Sequence, residues 1–127
     1  MQKINGDQLF DEMLEAKWFD KKKPPRWMVL DREFIVPTEA QVLEVMHKDH
    51  TERIKYIAES GDCDNFAFDL RHAYGRKGWS VGVLIVKIPE GLHAIFFSRT
   101  KDGGLKSYEP QSDKELGTPD VVGVIMY

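Results

Sequence analysis

Three residues of this chain have side chains suited to acyl transfer and occur in a usable order: Cys63, His93 and Glu109. Such chemistry needs a nucleophile, a base within hydrogen-bond reach of it, and a third group that orients the base. A thiol attacks only as thiolate. The first turn of a helix favours that form, because unpaired backbone N–H groups and the macrodipole stabilise negative charge there. Cys63 lies in Gly61-Asp62-Cys63-Asp64-Asn65-Phe66-Ala67-Phe68, a stretch that reads as a helix start. A lone cysteine is ordinarily a small buried apolar residue without chemistry. Its place at a helix start, followed by a histidine and a carboxylate on successive strands, argues for a nucleophile instead.

His93 is polar among Leu92, Ala94, Ile95 and Phe96, which sets it apart from an ordinary surface histidine. Glu109 closes the next strand. A helix laid across a sheet can bring its first turn over adjacent strands, so a hairpin could present His93 and Glu109 side by side to Cys63. His72 is the rival base. It lies nine residues beyond Cys63 in the same helix, roughly 13 Å along the axis and too far for proton transfer.

The elements that must position these groups follow from the apolar spacing. Asp62 is a natural cap, its carboxylate accepting from the amides of residues 64 or 65. Phe66, Ala67, Leu70, Ala73 and Tyr74 bury one helical face, while Asp69, Arg71 and Arg76 face water, and Gly75 to Gly78 end the helix. Upstream, Leu9, Phe10, Met13, Leu14 and Trp18 predict an amphipathic helix over 7–18 behind Asp7. Pro24 and Pro25 interrupt the chain after it. Residues 26–36 read as extended chain or two short strands. Thr38 and Gln41 have capping-box spacing before Val42, Val45 and Met46, so a second helix starts at Thr38 and runs to Ser60-Gly61. His47, Asp49 and His50 on that helix read as exposed polar residues rather than a metal cluster, since no further ligand joins them at suitable spacing.

From Trp79 the period changes. Residues 81–88, 92–98, 105–109 and 121–127 are rich in β-branched and aromatic residues and are separated by Pro89-Glu90-Gly91 and Lys101-Asp102-Gly103-Gly104. Helices followed by an antiparallel meander predict an α+β fold.

The chain has 127 residues, enough for one domain over 1–127. A net charge of −3 without a basic stripe excludes nucleic acid as the main partner. One cysteine makes no internal disulfide, so a cytoplasmic location is expected. No apolar run approaches the roughly 20 residues of a membrane span, and the first residues lack a signal-peptide core. Oligomeric state is not legible.

Gly61-Asp62-Cys63-Asp64-Asn65-Phe66-Ala67, then His93-Ala94, then Tyr108-Glu109-Pro110-Gln111 resemble the papain-like C-terminal domain of the fairy-ring mushroom agglutinin and related small bacterial and phage proteins. The first two motifs are also similar to those of the bacterial transglutaminase-like cysteine proteinases. The resemblance implies a papain-like cysteine-protease fold, with N-terminal helices packed on an antiparallel sheet, and a calcium-dependent protease with catalytic Cys63, His93 and Glu109. It also suggests calcium held by Asp62 and Asp64, since two carboxylates beside a nucleophile raise its pKa unless a cation neutralises them. The plainer reading stands beside it: Asp62 as cap and Asp64 as a first-turn acid. Papain-type enzymes place a glutamine shortly before the cysteine, and Glu59-Ser60-Gly61 offers none. The backbone N–H of Cys63, or a side chain from Trp27 or Gln111, would have to bind the oxyanion.

The expected function is therefore a cysteine peptidase or amidase-like hydrolase, acting through a thioester on a peptide or protein substrate. The alternative is a non-catalytic phage or bacterial accessory protein that binds a partner with the same fold.

Overall fold

The chain opens with a strand, β1 (Lys3–Asn5), which passes directly into helix α1 (Gly6–Glu15). The computed structural model describes residues 2–60, 64–75 and 77–127, the side chains of 50–60 and 64–66 excepted. Asn5, not Asp7, caps α1. Its side chain accepts from the Gln8 amide at 2.8 Å, and Gln8 Oε1 accepts from the Asn5 amide at 2.9 Å, so two orphan donors are satisfied reciprocally. The helix buries Leu9 and Met13. It ends short of Lys17, whose positive φ of 62° turns the chain and brings Trp18 and Phe19 into the core.

Strands β2 (Arg26–Val29) and β3 (Glu33–Ile35) follow, then helix α2 (Glu39–Ser60). The capping box forms at its start: Gln41 N–H donates to Thr38 Oγ1 at 3.2 Å and Thr38 N–H to Gln41 Oε1 at 2.9 Å. Helix α3 (Asp64–Ala73) leads to β4 (Val81–Ile88), β5 (Gly91–Thr100), β6 (Gly104–Glu109), β7 (Lys114–Glu115) and β8 (Val121–Met126). The main sheet has the order β2-β8-β4-β5-β6-β7, and β1 pairs with β3 in a separate antiparallel ribbon.

The near-continuous apolar run of β4 reflects cover on both faces. Leu84 and Val86 share one core with Ile95, Phe97, Val124 and Met126 beneath Leu9 and Met13 of α1. On the other face Val81, Phe96 and Tyr108 meet Val42 and Met46 of α2 and Leu70 and Tyr74 at the end of α3, while Val83 and Ala94 meet Ala67. Tyr74 stacks on Phe96 at 5.2 Å and donates its hydroxyl to the Val42 carbonyl at 2.7 Å, tying both helices to the sheet. Among the described residues no helix is long and apolar enough to cross a membrane.

The papain-like layout expected above, N-terminal helices packed on an antiparallel sheet, is not the one found. Strands precede and separate the helices, and the six-stranded sheet is mixed: β2 runs parallel to β8, Arg26 opposite Gly123 through Val29 opposite Met126. Parallel neighbours need a long crossover. Here it is most of the chain between residues 29 and 121, so no local pattern marks the pairing.

Candidate functional site

The β5–β6 hairpin carries the site. Its antiparallel register sets Phe96 opposite Tyr108, so His93 lies near the start of β5 and Glu109 at the end of β6. His93 Nε2 and Glu109 Oε2 are 3.0 Å apart, with side chains 20% and 25% exposed. The second carboxylate oxygen, Oε1, accepts from the Gln111 amide at 3.5 Å. Pro110 has no N–H to give. The chain instead closes back on the Glu109 carbonyl through the amides of Ser112 at 3.3 Å and Asp113 at 2.8 Å. The Glu-Pro-Gln sequence is thus a turn that orients one carboxylate. An imidazole donating from Nε2 to that carboxylate has Nδ1 as its basic nitrogen. The pair holds a base in one tautomer, which is the function of the third group in a nucleophile–base–acid set.

Helix α3 approaches this hairpin at its first full turn. Ala67 is fully buried against Ala94, the neighbour of His93, and against Val83. The small side chains at 67 and 94 permit the close approach.

Of the residues singled out in the sequence, the structure brings His93 and Glu109 together. Cys63 and Asp62 lie outside the described residues, as does the side chain of Asp64. Trp27 is not near the pair. It sits on β2 at the opposite sheet edge, packed on Phe10 at 5.3 Å, about 14 Å from β5 at ~4.8 Å per strand. Gln111 is near it, through its backbone. His72 is exposed in the last turn of α3. Among the described residues no three His, Cys, Asp or Glu side chains group as metal ligands, His47 and Asp49 included.

Arg71 was expected to face water and does not: the residue is 5% exposed. The signal was present in the spacing, since 67, 70, 71 and 74 are i, i+3, i+4 and i+7 on one face.

Solved structures share this fold, two of them as follows. The PSL1a–E64 complex superposes with a TM-score of 0.76 at 15% identity, covering 98% of this chain and 50% of that one. Polyporus squamosus lectin bound to the human-type influenza-binding epitope Neu5Acα2-6Galβ1-4GlcNAc superposes at 0.74 and 14% identity, covering 98% and 49%. The chain therefore spans about half the length of each. No family model matches it, and no curated protein does. These findings correct the family expected from the motifs. The likeness is to a lectin with a bound glycan, not to the papain-like cysteine proteases or to phage proteins.

Proposed function

We propose that the chain is a thiol-dependent hydrolase of the amidase type, with a peptide or protein amide as substrate. Cys63 attacks the amide carbonyl, and His93 takes the thiol proton and passes it to the departing amine. Water then cleaves the thioester and restores the thiol, while Glu109 holds the imidazole throughout. The observation that carries this reading is the 3.0 Å contact between His93 Nε2 and Glu109 Oε2 on a half-buried hairpin. Further support comes from chain position. Cys63 directly precedes α3 in the sequence, and Ala67, four residues later, rests on Ala94. Alternation along β5 turns Ala94 toward α3 and His93 to the other side. Catalysis on this plan thus requires thiol and imidazole to meet around the start of the strand, beside the exposed Leu92.

The PSL1a structure is a complex with E64, an epoxide that alkylates nucleophilic thiols and so serves as a probe here. The chain has one cysteine, so any adduct reports Cys63. At about pH 6, where an ordinary thiol of pKa ~8.5 is protonated, E64 is expected to label the chain and to spare its His93→Ala variant. Equal labelling of both, or none of either, would refute the mechanism. The second reading is a carbohydrate-binding module, favoured by the bound trisaccharide of the Polyporus squamosus lectin. Saturable binding of that trisaccharide with an inert Cys63 would establish it instead.

A further inference from the structure

Beyond the C-terminal end of α3, away from Ala67 and Ala94, lies a cavity of about 360 Å³ lined by Asp31, Arg71, His72, Gly75, Gly78 and Tyr127. Arg71 is the residue that needs explaining. Its Nη1 donates to the Gly75 carbonyl at 3.3 Å, and its guanidinium carbon stands 4.5 Å over the centre of the Tyr127 ring. Its Nε–H is buried and has no acceptor among the described residues, and no carboxylate among them lies within ion-pair distance. Burial lowers its pKa, and the opposing influence of Tyr127 and Asp31 does not outweigh it. A buried cation is normally paired, because desolvation costs several kcal/mol that an ion pair with good hydrogen bonds offsets. This one has a ring on one side and open space beside it.

The chemistry of the lining narrows the occupant. Arg presents a planar fork matched to a carboxylate. Asp31, exposed on the same cavity lining, disfavours a dianion such as phosphate and asks for a hydrogen-bond donor. We propose that this cavity binds an organic carboxylate bearing a donor next to the carboxylate, with its oxygens on the Arg71 guanidinium and its donor on Asp31. The class is that of α-hydroxy and α-amino acids. A volume of this size suits a small molecule, and the inference does not depend on the thiol chemistry above.

The test is an NMR titration of the full ¹⁵N-labelled chain, following the Arg71 Nε–H and the Gly75 and Gly78 amides. The probes are glycolate, acetate, the neutral isostere glycolamide, and inorganic phosphate. Glycolate is expected to give saturable shifts, acetate to bind several-fold more weakly, and glycolamide to give none. Arg71→Lys should weaken glycolate by tenfold or more. Because that variant perturbs a buried residue, Asp31→Ala, which removes the acceptor at an exposed one, provides a second readout and should erase the preference of glycolate over acetate. Equal shifts from glycolate and glycolamide would overturn the assignment. So would phosphate binding as tightly as glycolate, or an unchanged preference in Asp31→Ala.

Discussion

Glu109→Gln isolates the charge of the His93–Glu109 contact from its shape. Glutamine has the same length and keeps an acceptor at the 3.0 Å position, so the imidazole remains oriented while the carboxylate charge disappears. Two unit charges at ~4 Å interact by about 1 kcal/mol in water and about 4 kcal/mol at the effective dielectric of a protein surface. With side chains 20% and 25% exposed, the pair lies between these limits, at about 2 kcal/mol, or roughly a 30-fold change in the population of an imidazolium–thiolate pair. The readout is alkylation of Cys63 by iodoacetamide. At about pH 6 the variant should react ~30-fold more slowly than the parent. At about pH 9 the rates should converge, because a thiol of pKa ~8.5 ionises there unaided. Thermal stability should change by under ~1 kcal/mol, as for other partly exposed ion pairs. Equal rates at pH 6 in two well-folded proteins would show that Glu109 does not act through His93 on the thiol.

Two further substitutions test the frame that holds the site. Gly82→Ala on β4 would place a Cβ 2.6 Å from the Ile125 carbonyl oxygen and 2.9 Å from Met126 Cγ and Phe97 Cε1. Backbone must move, so a loss of about 2–3 kcal/mol is expected, seen as a melting temperature lower by roughly 8–12 °C; an unchanged melting curve would contradict the packing of β4 on β8. Tyr74→Phe removes the hydroxyl bond to Val42. Since that carbonyl belongs to helix α2, the cost is about 1 kcal/mol in urea denaturation, and a variant as stable as the parent would show that this bond contributes nothing to docking the helices.

Much of the local structure was legible because it is written in short-range patterns. The Thr38–Gln41 capping box, the β-branched run of β4, the turn at Lys101 to Gly103 and the hairpin that joins His93 to Glu109 each depend on residues close in sequence. What escaped depends on distant partners. Strand β1 forms only because residues 33–35 pair with it, and β7 is two charged residues held by Tyr108 and Glu109. The cap at Asn5 was missed for the neighbouring Asp7, although Gln8 stood at the required spacing. The place of Trp27, three strand spacings from β5, was not legible because no local pattern marks the pairing of β2 with β8.

The sequence by itself determined which groups of this chain are chemically able: one thiol, a histidine set among apolar residues, and a glutamate before a proline whose missing amide shapes the following turn. Tertiary structure decided which of them meet. It brought His93 and Glu109 into contact through an antiparallel register, carried Trp27 to the far edge through a parallel one, and buried Arg71 beside a cavity instead of in water. The reason is common to all three. Side-chain chemistry belongs to a residue alone, whereas proximity and burial are set by chain segments many residues apart, whose pairing rests on summed packing of both sheet faces.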